Sequence, residues 1–156
     1  KHKLLLYITS WYWAWMEYQI VFALANISSP EERLKKGIEM LTGELPDMTE
    51  YSHINSENLY TILVTESSKS YLHKKVDDEN NNGSFLGYKR IVSRMGDIIL
   101  EINPKFKYPH MLISTVIEGA HHQQFFKEHL PKLTDTIDGK DAIQDFYTEL
   151  IFKAIN

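Results

Sequence analysis

The sequence predicts an all-α fold, an antiparallel bundle of about six helices that form a single domain. Apolar residues recur at helical spacing in most of the chain, beginning with residues 4–27. The β-branched run at residues 61–65 could form a strand, but no second strand that could pair with it appears elsewhere. A chain of 156 residues, 43% hydrophobic and 24% charged, is sufficient to bury one core.

The first segment, residues 4–27, is the most hydrophobic part of the chain. It is long enough to cross a bilayer, but Glu17 and Gln19 lie near its middle, where an acidic side chain costs roughly 2.5–3.5 kcal/mol to insert. We therefore predict a long buried helix and no membrane span. Its aromatic residues share one stripe: Trp11, Trp15, Tyr18 and Phe22.

The second helix has the clearest local start signal in the sequence. Ser29 is predicted as its N-cap, Pro30 as its first helical residue and Glu32 as the partner in a capping box. Gly43 is predicted to end it. Residues 44–55 are expected to form a polar linker.

Two further helices are predicted in the middle of the chain. The first covers residues 56–76, and residues 77–84, DDENNNGS, follow as a surface loop or helix break. The second covers residues 85–102 and ends at Asn103-Pro104.

The central helix, residues 109–129, is expected to be buried on two sides. It begins at Pro109, whose missing N–H suits a first turn. One apolar set at helical spacing suits the core, while a second, mixed set on another face needs a partner or a ligand. The last helix, residues 139–155, is capped by residues 138–141, and its apolar stripe includes Phe146 and Leu150.

Charge and composition exclude several classes of protein. The net charge of −4 and the pI near 6.0 do not suggest a chain that binds nucleic acid by itself, because such domains usually carry a basic patch. The absence of cysteine excludes disulfides, thiolate zinc sites and cysteine nucleophiles, and it fits a reducing cytosol. We therefore expect a cytoplasmic protein.

Glu118, His121 and His122 are the strongest candidates for chemistry. Their spacing places them on one helical face, and a carboxylate with two imidazoles can bind zinc or another divalent metal. However, no second carboxylate–histidine pair lies on another helix, as a di-iron bundle requires. No glycine-rich phosphate loop or GxSxG motif occurs. We expect no enzyme, metal or cofactor, and keep a metal-binding protein or enzyme built on these three residues as the alternative.

The aromatic stripe of the first helix has two interpretations. It can be plain core, or it can line a pocket for a small hydrophobic or aromatic ligand between helices. Its aromatic area exceeds what one helix face usually needs, and residues of later helices could converge on it. The predicted pocket residues are Trp11, Trp15, Tyr18, Phe22, Tyr60, Tyr71, Tyr88, Met95, Ile117 and His121.

Several segments together resemble the C-terminal regulatory domain of TetR-family transcriptional repressors. Residues 1–5, KHKLL, are similar to the end of the family's F-x-S-K-x-x-L-L segment, which leads into the first regulatory helix. Residues 29–34, SPEERL, resemble its D-P-x-x-R-L helix start. Residues 102–106, INPKF, and 117–123, IEGAHHQ, resemble its I-x-P-D-x-D turn and the L-x-x-G helix after it.

The resemblance implies that residues 1–156 form one ligand-binding and dimerisation domain of a transcriptional regulator. The helix-turn-helix that contacts operator DNA in this family is absent from the chain. The family's last two long helices pack against those of a second subunit, which implies a homodimer. An effector in the pocket would then change the spacing of the two DNA-binding heads. The implied dimer interface comprises Met111, Thr115, Glu118, Gly119, His122, Phe126, Phe146 and Leu150.

Overall fold

The described part of the chain folds entirely into helices, turns and connecting segments. The structure, a computed structural model, describes residues 1–43 and 56–156. These residues contain seven α-helices and two 3₁₀ turns, at Ser67–Ser70 and Pro131–Leu133. The helices are α1 (His2–Leu24), α2 (Pro30–Thr42), α3 (Ser56–Glu66), α4 (Val76–Asn81), α5 (Leu86–Ile102), α6 (Pro109–His129) and α7 (Ala142–Ile155). The all-α class is confirmed, and the predicted linker at residues 44–55 lies outside the described residues.

Helix α5 organises the core because it packs against α1, α2 and α6. Helices α2 and α6 also contact α7, and α3 packs on α6. Burying one large aliphatic side chain contributes about 1.5–3 kcal/mol to the free energy of unfolding. The aliphatic side chains buried between these helices therefore stabilise their packing. The fully buried side chains of the core include Met16, Ile20, Leu34, Ile38, Ile91, Met95, Ile99, Ile113 and Ile117.

The buried face of α1 differs from the predicted aromatic stripe. Tyr18 and Phe22 are 66% and 74% exposed, so the prediction that they are buried is wrong. Hydrophobic periodicity cannot predict the buried face of a helix that is apolar on almost every side. The residues of α1 that reach the core are Ile8, Tyr12, Trp13, Met16, Ile20 and Leu24.

Each helix in the described part of the chain is too short or too polar to span a bilayer.

The Ser29 cap of α2 is present, and α7 is capped by Asp141 and begins at Ala142, three residues after the predicted start. The Ser29 hydroxyl accepts a hydrogen bond from the Glu32 backbone N–H at 3.3 Å, and Pro30 is the first residue of α2. The Asp141 carboxylate accepts one from the Gln144 backbone N–H at 3.0 Å. These bonds satisfy backbone donors that have no partner within the helix.

Helix α3 is shorter than the predicted helix over residues 56–76. It ends at Glu66, and a 3₁₀ turn follows. In that turn the Ser70 hydroxyl donates to the Ser67 carbonyl at 2.6 Å. Serine side chains that bond to nearby backbone groups compete with the helical pattern, which explains why the serine-rich stretch ends α3.

Helix α4 forms where the composition predicts a loop. Its first turn carries three acidic residues, which favour the positive end of the helix dipole. Gly83 has a φ of +84°, and the backbone N–H groups of Gly83 and Ser84 donate to the carbonyls of Asn80 and Glu79. This is the Schellman pattern. The loop prediction is wrong for residues 77–81 because the glycine here ends a short helix.

The backbones of α1 and α5 approach each other closely at Gly87. A Cβ atom at this position would lie 2.9 Å from the backbone nitrogen of Ala14 and from the carbonyl carbon of Trp13. Backbone atoms cannot rotate away as the end of a side chain can. The absence of a side chain at Gly87 is therefore what allows this packing, and it brings the neighbouring Tyr88 onto α1.

Gly87→Ala should lower the free energy of unfolding by about 1–3 kcal/mol, the usual cost of overpacking. This loss is expected although alanine in a helix is normally about 1 kcal/mol more favourable than glycine. Urea unfolding followed by circular dichroism measures the change.

Gly96→Ala in the same helix is the control for this substitution. The atoms nearest its new methyl group belong to the His110 ring and to Pro109, and the exposed His110 ring is free to turn away. If Gly87→Ala is as stable as Gly96→Ala, the close contact between α1 and α5 is contradicted.

Candidate ligand-binding site

An open cavity of about 700 Å³ lies between α5, α6 and the segment that joins α3 to α5. Its volume is within the range of small-molecule sites, about 300–1,000 Å³. Four of the nine lining side chains are aromatic or aliphatic and five are polar or charged, but most of the surface that faces the cavity is apolar. The lining residues are Tyr71, Phe85, Tyr88, Lys89, Val92, Ser93, His110, Ser114 and Glu118.

Helical spacing brings the residues of each wall together. On α6, His110, Ser114 and Glu118 are four residues apart and share one face. On α5, Tyr88 and Val92 are placed in the same way. The cavity is therefore a groove between two packed helices, and the rings from the connecting segment close one end of it.

A tyrosine–glutamate network crosses the cavity. The Tyr88 hydroxyl donates to Glu118 Oε1 at 2.8 Å. Burial, and then the negative charge of Glu118, raise the pKa of the Tyr88 phenol above its usual range. Burial, and then a hydrogen bond to Glu118, raise the pKa of Tyr71 in the same way. Both phenols thus remain protonated donors, and they hold the carboxylate at the cavity wall.

Tyr88 is itself fixed by aromatic contacts. Its ring stacks on Trp13 of α1, with the ring centroids 4.2 Å apart and an interplanar angle of 19°. Tyr71 meets Tyr88 edge-on at 6.5 Å and Phe85 edge-on at 6.3 Å. Offset and edge-on arrangements are the favourable ones for aromatic rings. The aromatic wall is therefore preorganised by its own packing.

His121 lies behind this wall and is uncharged at neutral pH. Burial lowers its pKa to about 4, although the charge of Glu118 opposes the shift. The Ser67 hydroxyl oxygen lies 3.4 Å from His121 Nδ1, and the Trp13 ring is 6.1 Å from the imidazole. His121 therefore acts as a neutral polar group between α1, α6 and the 3₁₀ turn.

The structure brings two of the predicted pocket residues, Tyr71 and Tyr88, to the cavity. Met95 and Ile117 have no exposed surface and belong to the core, so they do not line this cavity. The side chain of Tyr60 lies outside the described part of the chain.

The four aromatic residues of the predicted stripe on α1 lie away from the cavity lining. Trp11 and Trp15 are partly buried against the core and stack with their centroids 6.5 Å apart, while Tyr18 and Phe22 face outwards. The predicted stripe therefore does not line this cavity, and its assignment to a ligand pocket stays a prediction. The row His110, Ser114 and Glu118, polar residues at intervals of four, was the sequence signal that could have identified the cavity face of α6.

The residues of the implied dimer interface divide into two groups. Met111, Phe146 and Leu150 are 66%, 55% and 39% exposed, and Thr115 and His122 are also exposed. The others are engaged within the chain or partly buried.

Glu118 and Gly119 belong to this second group. Glu118 lines the cavity, and Gly119 lies so close to the Tyr147 hydroxyl of α7 that a methyl group would collide with it. Phe126 is partly buried beside His122, with ring centroids 6.4 Å apart. The interface interpretation therefore fits Glu118 and Gly119 less well than the exposed residues.

Glu118, His121 and His122 do not converge on one point, although the sequence places them on one helical face. Glu118 accepts from Tyr88, His121 faces Ser67 and Trp13, and His122 is exposed. Among the described residues, the histidine–carboxylate group whose ligand atoms approach one another lies elsewhere. The geometry thus gives the metal-site alternative at these three residues no support.

No family model matches this chain, and no curated protein or solved structure matches it. The resemblance to TetR-family regulatory domains therefore remains a prediction. The function has to be inferred from the geometry of the cavity and of the surface of α6 and α7.

The stability of the protein should fall in acid because of His121. The unfolded chain takes up a proton on this residue near pH 6.5, whereas the folded chain does so only near pH 4. The free energy of unfolding therefore decreases as the pH falls through this range, by up to about 3 kcal/mol. Urea unfolding of His121→Gln at pH 7 and pH 4.5 should show a smaller decrease than the wild type.

His122→Gln is the matched control, because the neighbouring imidazole is exposed. It should keep most of the pH dependence of the wild type, because the charge of His122 is the smallest of the three causes that act on the pKa of His121. Equal decreases for His121→Gln and the wild type would contradict the assignment of this pH dependence to His121.

Proposed function

We propose that this chain is the effector-binding and dimerisation domain of a ligand-responsive transcriptional regulator of the TetR type. The observation that carries the proposal is the arrangement of α6. One face of this helix lines an open cavity of about 700 Å³, a neighbouring face exposes Met111, and α7, which packs against α6, exposes Phe146 and Leu150.

The lining of the cavity suits a small hydrophobic or aromatic effector. Tyr71, Phe85 and Tyr88 offer ring surfaces, and Val92 adds an aliphatic one. Glu118 supplies a carboxylate whose position is fixed by the Tyr88 hydroxyl. Few but well-placed polar groups in an apolar cavity typically orient a ligand and give specificity. The expected effector is therefore a flat, mostly apolar molecule with a hydrogen-bond donor that can reach Glu118.

The exposed apolar face supports dimerisation. Met111, Thr115 and His122 are separated by four and seven residues and thus share one face of α6. Phe146 and Leu150 are exposed one turn apart on α7, which packs against α6. Exposed apolar groups on adjacent helices are typical of protein interfaces. A second copy of the chain, related by a two-fold axis, would cover both helices at once.

Effector binding and dimerisation would be coupled because both use α6. A molecule bound between α5 and α6 that prefers one position of α6 shifts the population towards that position. The dimer contact then moves with the helix, and so do any DNA-binding heads attached to the two chains. This proposal requires a basic helix-turn-helix encoded ahead of residue 1, which the upstream coding sequence reports directly.

Native mass spectrometry of the purified chain should find a dimer. Phe146→Glu should shift it to monomer, because each subunit would place a carboxylate in the proposed apolar contact. Phe22→Glu is the matched control, since Phe22 is an aromatic residue of α1 that is 74% exposed, and it should leave the dimer intact. A monomeric wild type rejects the proposal, and a dimer broken only by Phe22→Glu assigns the interface to α1 instead.

Val92→Trp should fill the cavity and abolish ligand binding there. The probe is 1-anilinonaphthalene-8-sulfonate, a flat aromatic molecule whose fluorescence rises in apolar sites, and its titration should saturate with the wild type. Tyr18→Trp on the exposed side of α1 is the control and should bind the probe as the wild type does. Unchanged binding by Val92→Trp would contradict the assignment of the cavity as the ligand site.

A further inference from the structure

His2, His73 and Glu79 form a cluster at the start of α1 that is separate from the cavity. The His2 Nε2 atom lies 2.8 Å and 3.1 Å from the two carboxylate oxygens of Glu79. His73 Nδ1 lies 4.0 Å from Glu79 Oε1. The two imidazoles are stacked, with centroids 3.9 Å apart and an interplanar angle of 13°. One atom of each side chain lies within 4.8 Å of the others.

Backbone contacts hold the three residues near one another. Glu79 belongs to α4, whose end is fixed by the glycine turn described above. The carbonyl of Ser84, just after that turn, accepts a hydrogen bond from the Ser10 hydroxyl of α1 at 2.7 Å. His73 is held in its own turn, where the Val76 N–H donates to the His73 carbonyl at 3.0 Å. The cluster is therefore a consequence of the fold rather than of flexible surface side chains meeting by chance.

We propose that His2, His73 and Glu79 bind a divalent transition-metal ion, with Zn²⁺ as the best match. Two histidines and one carboxylate, with water in the fourth position, are an established ligand set for zinc. Imidazole ligands favour zinc and its neighbours over Mg²⁺ and Ca²⁺, which prefer oxygen. All three side chains are partly buried, so an ion can enter while the site remains shielded.

The present distances are close to those a bound ion requires. Metal–ligand bonds of about 2.0–2.2 Å in a tetrahedral site place neighbouring ligand atoms roughly 3.3 Å apart. The His2–Glu79 separation of 2.8 Å is slightly shorter than this, and the His73–Glu79 separation of 4.0 Å is slightly longer. The two imidazoles, which are now stacked, must also turn until both ring planes contain the ion, because a metal binds the nitrogen lone pair in the plane of the ring.

A backbone contact also fixes the tautomer of His73, and this contact has to break before Nδ1 can bind a metal. The Lys75 backbone N–H donates to His73 Nδ1 at 3.2 Å. This bond keeps the lone pair on Nδ1, the ring nitrogen that lies within reach of Glu79, and the proton on Nε2. A metal ion would replace this donor, and the amide of the exposed Lys75 could then bond to water.

The test is a titration of the untagged chain with Zn²⁺ by isothermal titration calorimetry, with native mass spectrometry to count bound ions. The wild type should bind one equivalent. His73→Asn and Glu79→Gln, which keep polar side chains of similar shape, should weaken binding at least tenfold. Circular dichroism confirms that each variant is folded.

His129→Asn is the matched control, because His129 also lies beside a carboxylate. Its Nε2 atom is 3.7 Å from Glu128 Oε2, both side chains are exposed, and His129 is not part of the three-residue cluster. It should bind Zn²⁺ as the wild type does. Co²⁺ bound in place of Zn²⁺ should give a visible absorption band that Glu79→Gln loses. No binding by the wild type, or equal binding by Glu79→Gln, would overturn the site and leave His2 and Glu79 as an ordinary ion pair.

Discussion

The close approach of α5 to α1 at Gly87 is the contact on which the candidate site depends. Because no Cβ separates the two backbones, Tyr88 can stack on Trp13 at 4.2 Å. From this position the Tyr88 hydroxyl reaches Glu118 on α6. An aromatic pair contributes about 0.5–1.5 kcal/mol beyond its buried area, and a hydrogen bond to a charged group about 1.5–3 kcal/mol. The absence of a side chain at Gly87 thus allows the Trp13 ring of α1, the Tyr88 hydroxyl of α5 and the Glu118 carboxylate of α6 to meet.

Helix α6 serves three environments with residues that differ by one or a few positions. Ile113 and Ile117 face the core, Ser114 and Glu118 face the cavity, and Met111 is exposed. A helix whose faces meet a core, a cavity and solvent does not show one continuous apolar stripe. The mixed composition that marked this helix in the sequence therefore reflects its position between the core, the cavity and an apolar surface.

The sequence predicted those parts of the fold that local chemistry decides. Ser29, Pro30 and Asp141 act as start signals through bonds or backbone limits within a few residues, so the helices they begin were predictable. The inner face of α1 was not, because its apolar residues surround the helix and only packing on α5 selects Trp13 over Tyr18. Tyr71 and Tyr88 were identified as aromatic candidates. Glu118 was identified as a functional candidate but not as a cavity residue, and Phe85 was missed because its position depends on the segment between α3 and α5.

The segment between α3 and α5 contributes residues to both proposed binding sites. Tyr71 and Phe85 line the cavity, and between them the chain supplies His73 and Glu79 to the histidine cluster. The connection is direct at one point, since the His73 backbone N–H donates to the Tyr71 carbonyl at 2.8 Å. A metal ion that fixed His73 would restrict the backbone beside Tyr71, and an effector that fixed the Tyr71 ring would restrict His73. Coupling between two ligands is reciprocal in free energy. Occupation of either proposed site would therefore restrict the segment between α3 and α5, which carries residues of both.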